Sequence, residues 1–392
     1  MLKPLKLLLV DDSPDDCELL LLEVRRGGYD PVWERVDTAT SMLAKLNNQP
    51  WDIVIGDYNM PRFNGIRALK LLRAHWDDTP FVMVSGCISD EAGRRAMRNG
   101  ARDYIMKSNL SRLVPTIERE IFDAEQHRRQ RQLEREIQKS KMALEIARRI
   151  QQQLLPTTAP YFKGFDIAGA AYPADATGGD YFDYFPMADS SLTIAIGDAC
   201  GHGVGPALLM AQARTCLHTL IVEQKDISEI LAGINRILYE ATPQEHFMTL
   251  LLARLDPQTR QLSYTSAGHA GCVVNSAGDI RATLGSTGFP LGLVADAKFL
   301  CAEPVDLQPG DVVLLTTDGI TEARSPDGSL FGLQRAIDLV RIYQNGSAFE
   351  IVNNLFHAVR AFTQISPQED DITTVVIKVN DVPTSTEKDS HS

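Results

Sequence analysis

From Asp123 to Gln153 the chain contains no glycine and no proline, and this stretch constrains the fold more than any other. Small or apolar residues recur there at Leu133, Ile137, Ser140, Leu144, Ala147 and Leu154, at intervals of roughly three, four or seven. The spacing predicts one long amphipathic helix, either a solvated spacer or a short coiled coil. Pro156 and Pro160 end it, because proline cannot continue a helix. The 392 residues therefore divide into globular parts on either side of a helical linker, in keeping with two or three domains for this length.

Composition bounds the function. With 44% hydrophobic and 23% charged residues, each part can bury a core. A net charge of −12, from 51 acidic and 39 basic residues, argues against nucleic acid or an anionic membrane as partner, since both require a basic footprint. Cys17, Cys87, Cys200, Cys216, Cys272 and Cys301 are scattered without a CxxC pair, a pattern of reduced thiols. The start, Met1 to Lys6, lacks signal-peptide architecture, and no apolar run reaches the ~18 residues of a membrane span. The expectation is a cytoplasmic protein.

Residues 5–122 alternate apolar runs (Leu7–Val10, Ile53–Ile55, Phe81–Val84, Tyr104–Met106) with amphipathic segments such as Cys17–Arg26 and Ile66–Ala74. That alternation predicts a doubly wound parallel sheet with function at the carboxyl ends of its strands. Asp11, Asp12, Asp57, Ser85 and Lys107 all fall at those ends. Three carboxylates suit one Mg²⁺, which would neutralise a phosphoryl group approaching Asp57. Lys107 adds a fixed charge, and Ser85 a hydroxyl for a phosphoryl oxygen.

The motifs Val10-Asp11-Asp12, Asp57-Tyr58-Asn59-Met60-Pro61 with Gly65, Ser85-Gly86 and Tyr104-Ile105-Met106-Lys107 resemble the receiver domain of two-component response regulators. The resemblance implies a flavodoxin-like fold, Asp57 as phosphoacceptor and a histidine kinase as partner. It also implies one Mg²⁺ held by Asp11, Asp12, Asp57 and the carbonyl of Asn59, and a switch formed by Ser85 and Tyr104 beside Lys107. Ser85 stands where many such domains carry threonine and keeps the hydroxyl.

Beyond the linker (123–160), residues 161–379 place strand-like runs (Ile167–Ala171, Leu192–Ile196, Met248–Leu255, Cys272–Asn275, Val312–Thr316, Thr373–Val379) around two helical stretches, Pro206–Gln224 and Ser228–Ala241. The grouping predicts a layered α/β sandwich. The tail, 380–392, is polar and aperiodic, and is expected to be disordered. Asp180, Asp198, Asp318 and Asp370 each stand where an apolar run meets a small-residue turn. Carboxylates gathered at strand ends are what a two-metal phosphoester site needs.

Thr177-Gly178-Gly179-Asp180-Tyr181-Phe182-Asp183, Gly197-Asp198-Ala199-Cys200-Gly201-His202-Gly203, Ser266-Ala267-Gly268-His269, Thr317-Asp318-Gly319-Ile320-Thr321-Glu322-Ala323 and Asp370-Asp371-Ile372-Thr373 resemble, in that order, the metal-dependent PP2C-type (PPM) serine/threonine phosphatases of the SpoIIE/RsbU branch. The likeness covers about 140–378 and includes the preceding helix end, Ile146 to Pro156. It implies an α-β-β-α sandwich binding two Mn²⁺ or Mg²⁺. Asp198 would bridge the ions, Asp318 and Asp370 would hold one, and Asp180 with the carbonyl of Ala199 the other. Asp183, His202, Gly319 and Asp371 neighbour these positions. His202 could serve as a general acid, whereas His269 reads as structural and Cys200 as packing. The phosphate-binding arginine of eukaryotic relatives has no visible counterpart. The resemblance further implies a phosphorylated anti-anti-sigma (STAS) protein as substrate, and a homodimer through the linker helix is expected. Together the halves read as a response regulator whose output is a phosphatase; the alternative is a catalytically silent PP2C-fold docking protein switched by the receiver.

Overall fold

The computed structural model describes residues 2–380 apart from 62, 77, 87–89, 224–225, 242–245 and 365–366, and gives only the backbone of 90–93. The tail at 381–392 and Cys87 lie outside the described residues; the other five cysteines are free thiols. The chain forms two compact units, 1–140 and 141–392.

In the first unit β1 (Lys3–Val10), α1 (Pro14–Arg26), β2 (Tyr29–Val36), α2 (Ala39–Asn48), β3 (Ile53–Asp57), α3 (Gly65–His75), β4 (Phe81–Ser85), α4 (Asp90–Arg98) and β5 (Asp103–Met106) alternate. They build a parallel sheet in the order β2-β1-β3-β4-β5. β3 and β4 are buried along their whole length, which is why they read as unbroken apolar runs. Strand β2, absent from the sequence reading, is an edge strand that leaves Val32 and Trp33 exposed and so carries no such run. Side-chain caps start the helices: Ser13 accepts from the Asp16 N–H, Thr38 forms a capping box with Ser41, and Asn64 accepts from the Arg67 N–H. Apolar clusters fill both faces, Leu8, Val54, Leu69 and Met83 on one and Leu7, Leu20, Ile55 and Ile105 on the other.

The helix expected from residue 123 begins already at Leu113 and runs to Gln152 as α5. Its first turns bury Leu113 and Ile117 in the core of the first unit. Arg131 pairs with Asp78 at 2.5 Å. No described helix is long and apolar enough to cross a membrane.

The second unit contains β6 (Phe165–Tyr172), β7 (Tyr181–Pro186), β8 (Leu192–Ala199), α6 (Val204–Glu223), α7 (Ile227–Ala241), β9 (Met248–Leu255), β10 (Gln261–Ala267), β11 (Gly271–Val274), β12 (Ile280–Leu284), β13 (Val305–Asp306), β14 (Val312–Thr316), α8 (Asp318–Thr321), α9 (Gly332–Tyr343), α10 (Ala348–Phe362) and β15 (Ile372–Val379). The sheets β13-β10-β9-β8-β7 and β12-β11-β14-β15-β6 are antiparallel throughout. Ile194, Leu251, Val313 and Val375 fill the space between them. Helices α6 and α7 cover one outer face through Met210, Leu217 and Ile234. Helices α9 and α10 cover the other through Ile337, Val340 and Leu355. The result is the four-layer α-β-β-α sandwich that the resemblance implies. Strands β7, β10, β12 and β13, with α8, α9 and α10, are additional to that reading. Strand β12 is mostly exposed along its length and shows no apolar alternation to find.

Candidate phosphoacceptor and metal centres

In the first unit Asp11 follows β1 and is 2% exposed, and Asp57 closes β3 at 8%. Oxygen atoms of Asp11, Asp12 and Asp57 lie within 4.8 Å of one another. Lys107, just past β5, places Nζ 3.3 Å from carboxylate oxygens of both Asp11 and Asp57, and 2.6 Å from Asp16. Burial pushes the Asp11 carboxyl above its ordinary range, against the Ser13 N–H and Lys107. Burial also works against the Lys107 charge, but Asp16, Asp11 and Asp57 outweigh it and hold the ammonium above its ordinary value. The Asn59 N–H approaches Asp57 at 3.4 Å. Ser85 is buried at the end of β4, and its carbonyl accepts from the Lys107 N–H at 2.8 Å. Tyr104 lies on β5 opposite Met83. A side chain at Gly65 would collide with the backbone of Asp57, so the glycine lets α3 start hard against the end of β3. Asp16 is the residue here that motif reading missed: it sits in the first turn of α1, where an acidic side chain usually reads as a capping charge.

In the second unit the acidic residues meet at one end of the sandwich, at the start of β7 (Asp180), the end of β8 (Asp198), the exit of β14 (Asp318) and the entry to β15 (Asp370, Asp371). Asp180 is 5% exposed and accepts from the Thr317 hydroxyl at 2.8 Å. Burial, and then the Asp198 charge, raises its pKa well above the carboxylate range. Asp198 is raised to about 7 by burial and by Asp318, Asp370 and Asp371. Asp370 is raised by partial burial and by Asp318 and Asp371, against the Asp371 N–H. Among the described residues no lysine or arginine pairs with Asp180, Asp198 or Asp318. Hard oxygen donors close enough to raise one another's pKa, with no cationic partner, fit a divalent cation, although among the described residues only Asp11, Asp12 and Asp57 bring three carboxylates within 4.8 Å of one another.

Asp371 faces the loop before β7. Its carboxylate accepts from the N–H of Ala174 (2.8 Å), Gly179 (2.7 Å) and Asp180 (3.4 Å), so it organises the chain that carries Asp180. A side chain at Gly319 would collide with the Asp371 carbonyl, which explains the glycine after Asp318. The Ala199 N–H donates to the Gly179 carbonyl at 3.2 Å, joining the two loops. Asp183 turns to α6 instead: Tyr181 donates to it at 2.9 Å, His218 lies at 2.7 Å and Arg214 at 3.8 Å. His202 is 81% exposed and pairs loosely with Asp175 at 3.6 Å.

His269 is buried, and burial pushes its pKa down to about 4, so the ring is neutral at ordinary pH. Its Nδ1 lies 3.1 Å from the Thr249 hydroxyl, which in turn accepts from the Asp198 N–H at 3.2 Å. A cleft of about 370 Å³ opens along Asp198, Thr249, His269, Thr316 and Asp318. A smaller cavity of about 170 Å³ beside Asp370 is lined by Arg324 and Arg360. Sequence reading missed Thr249, Arg324 and Arg360, since isolated threonines and arginines carry no motif signal, and it quoted Thr317 within a motif without giving it a role.

A family model described as response regulator receiver domain matches residues 7–118. One described as stage II sporulation protein E (SpoIIE) matches residues 188–380, and the structure adds β6, β7 and Asp180 to the same sandwich. The chain is 28% identical over 400 residues to Protein IcfG of Synechocystis sp., covering 95% of this chain and 58% of that relative; it thus spans little more than half of that protein's length. To phosphoserine phosphatase RsbU of Bacillus subtilis it is 27% identical over 292 residues, 70% of this chain and 84% of RsbU. The structure of the SiaA-PP2C domain of Pseudomonas aeruginosa matches with a TM-score of 0.54 and 25% identity, over 62% of this chain and 97% of that one. The chain belongs to the response regulators, with an N-terminal receiver domain joined to a C-terminal PP2C-type domain of the SpoIIE family.

Proposed function

We propose that the protein is a cytoplasmic response regulator in which phosphorylation of Asp57 by a histidine kinase controls a metal-dependent serine/threonine protein phosphatase. The observation that carries this reading is the gathering of Asp180, Asp198, Asp318 and Asp370 at one sandwich end, with Asp198 raised to about 7 by burial and its acidic neighbours. Two Mn²⁺ or Mg²⁺ held by these carboxylates and the Ala199 carbonyl would supply charge neutralisation and Lewis-acid activation for attack of water on phosphorus. The chain's own residues do the positioning. Thr317 fixes one oxygen of Asp180, Asp371 fixes its backbone, and His269 supports Asp198 through Thr249. The cleft past Asp198 and Asp318 would admit the phosphorylated side chain. Arg324 and Arg360, which line the smaller cavity beside Asp370, would be candidates to receive its phosphate oxygens.

In the receiver, Asp11, Asp12 and Asp57 with the Asn59 carbonyl would hold one Mg²⁺, Lys107 would pair with the incoming phosphoryl group, and Ser85 and Tyr104 would respond to it. Likeness to RsbU, a phosphoserine phosphatase by name, supports phosphoserine or phosphothreonine on a phosphorylated anti-anti-sigma (STAS) protein as the substrate. The exposed apolar stripe of α5 supports a homodimer.

The test is hydrolysis of p-nitrophenyl phosphate with Mn²⁺, with and without acetyl phosphate, by the wild type and Asp198→Asn. Metal-dependent turnover that the substitution lowers by at least about 100-fold is expected. Equal turnover in the variant removes Asp198 from the reaction. Absence of turnover towards a phosphoprotein as well would sink the enzyme reading.

A further inference from the structure

Gln151, in the last turn of α5, is buried, whereas its neighbours Gln152 and Gln153 are exposed. Burying a carboxamide is unfavourable unless both its donor and its acceptor are satisfied. Here one backbone residue satisfies both. Nε2 of Gln151 donates to the Gly178 carbonyl at 2.5 Å, and Oε1 accepts from the Gly178 N–H at 3.0 Å. Gly178 begins the Gly-Gly-Asp run ending at Asp180, and two consecutive glycines have no side chains with which to fix their own conformation. The next two N–H groups, of Gly179 and Asp180, are bound by Asp371. The loop bearing Asp180 thus hangs between two side chains, Asp371 at the entry to β15 and Gln151 at the end of α5. The same end of α5 is secured by Arg214, whose Nε donates to the Leu154 carbonyl at 2.7 Å, and by Leu154 and Leu155 packed on the sandwich cores.

We propose that Gln151 is a positioning residue: its carboxamide sets the backbone of the loop carrying Asp180, so the cation affinity of the phosphatase site depends on how the last turn of α5 is docked. The proposal rests on the reading of that site as a divalent-cation centre. It gives the linker helix a direct mechanical hold on the site, through hydrogen bonds to one peptide unit instead of through a general packing change.

The test is Mn²⁺ binding to the full-length protein by isothermal titration calorimetry, with the melting temperature in EDTA measured in parallel. The part of the isotherm lost in Asp198→Asn defines the phosphatase site. Gln151→Ala removes both hydrogen bonds, and Gln151→Met removes them while keeping the side chain's volume, so that one variant folds even if the cavity left by alanine is not tolerated. Both are expected to weaken that component by about 10-fold or more, the usual effect of losing a residue that orients a metal ligand. Gln152→Ala should match the wild type. Unchanged affinity in both Gln151 variants, with the Asp198→Asn loss intact, overturns the positioning role and leaves the site reading standing. A lowered melting temperature with unchanged affinity does the same, assigning Gln151 to stability alone. An isotherm indifferent to Asp198→Asn removes the cation site, and this inference with it.

Discussion

Lys107 lies 3.3 Å from both Asp11 and Asp57, while Asp180 and Asp198 face other carboxylates. At the residue scale this contrast separates a site that holds its own counter-charge from one where carboxylates face carboxylates with no lysine or arginine paired to Asp180 or Asp198 among the described residues. A further acidic residue, Asp103, is built for stability. It pairs with Arg119 at 2.8 Å and Arg112 at 3.8 Å, and Thr116 donates to it at 3.3 Å. Burial opposes its ionisation, but Arg119, the Tyr104 N–H and Arg112 outweigh that and hold its pKa below the ordinary value. A depressed carboxylate stabilises the fold above the unfolded pKa of about 3.9 and loses that contribution as pH falls through the folded value. Asp103→Asn should therefore cost the receiver about 1 kcal/mol at pH 7, and the gap to wild type should close below about pH 4. All three tryptophans, Trp33, Trp51 and Trp76, lie in the receiver, so its unfolding can be followed by tryptophan fluorescence in the full chain. A gap that persists undiminished at pH 3 would contradict the assignment.

At the scale of elements, α5 is the unusual one. From Phe122 to Ile150 its large apolar residues are exposed, and at about 3.6 residues per turn they form two stripes. Phe122, Leu133, Ile137 and Leu144 share one side, with Leu133 52% and Ile137 54% exposed. Met142, Ile146 and Ile150 lie on the opposite side and are also exposed. The first stripe continues through Ser140 and Ala147 with coiled-coil spacing. Leu133→Glu with Ile137→Glu should convert a dimer to a monomer in sedimentation equilibrium. A wild type that sediments as a monomer at tens of micromolar removes the seam. The periodicity of this helix was legible because exposed stripes obey only local geometry. Strand β12 and the two-residue β13 were not, because their place in the sheets comes from neighbours distant in sequence.

For the whole molecule, the proposed arrangement requires that chemistry at Asp57 alter turnover in the other unit. Asp57→Ala should keep basal Mn²⁺-dependent hydrolysis within about two-fold of wild type and abolish the change produced by acetyl phosphate. A response that survives the substitution would show that phosphorylation of Asp57 is not the input.

The sequence by itself determined the order of the receiver's motifs along the chain, the run without helix breakers and the acidic turns, because each depends on residues adjacent in the chain. Asp57, Lys107, Asp198 and Asp318 could be singled out that way. What only the tertiary structure decided is which side chains serve those residues. Gln151 meets Gly178, Thr317 meets Asp180 and Asp371 meets Gly179 across 27, 137 and 192 positions. Asp183, one motif residue among the rest by sequence, turns instead to His218 on α6. Such partnerships are set by which strand ends share an edge of the sandwich and where a helix comes to rest on it, and a hydrogen bond only a few ångströms long registers nothing about separation along the chain.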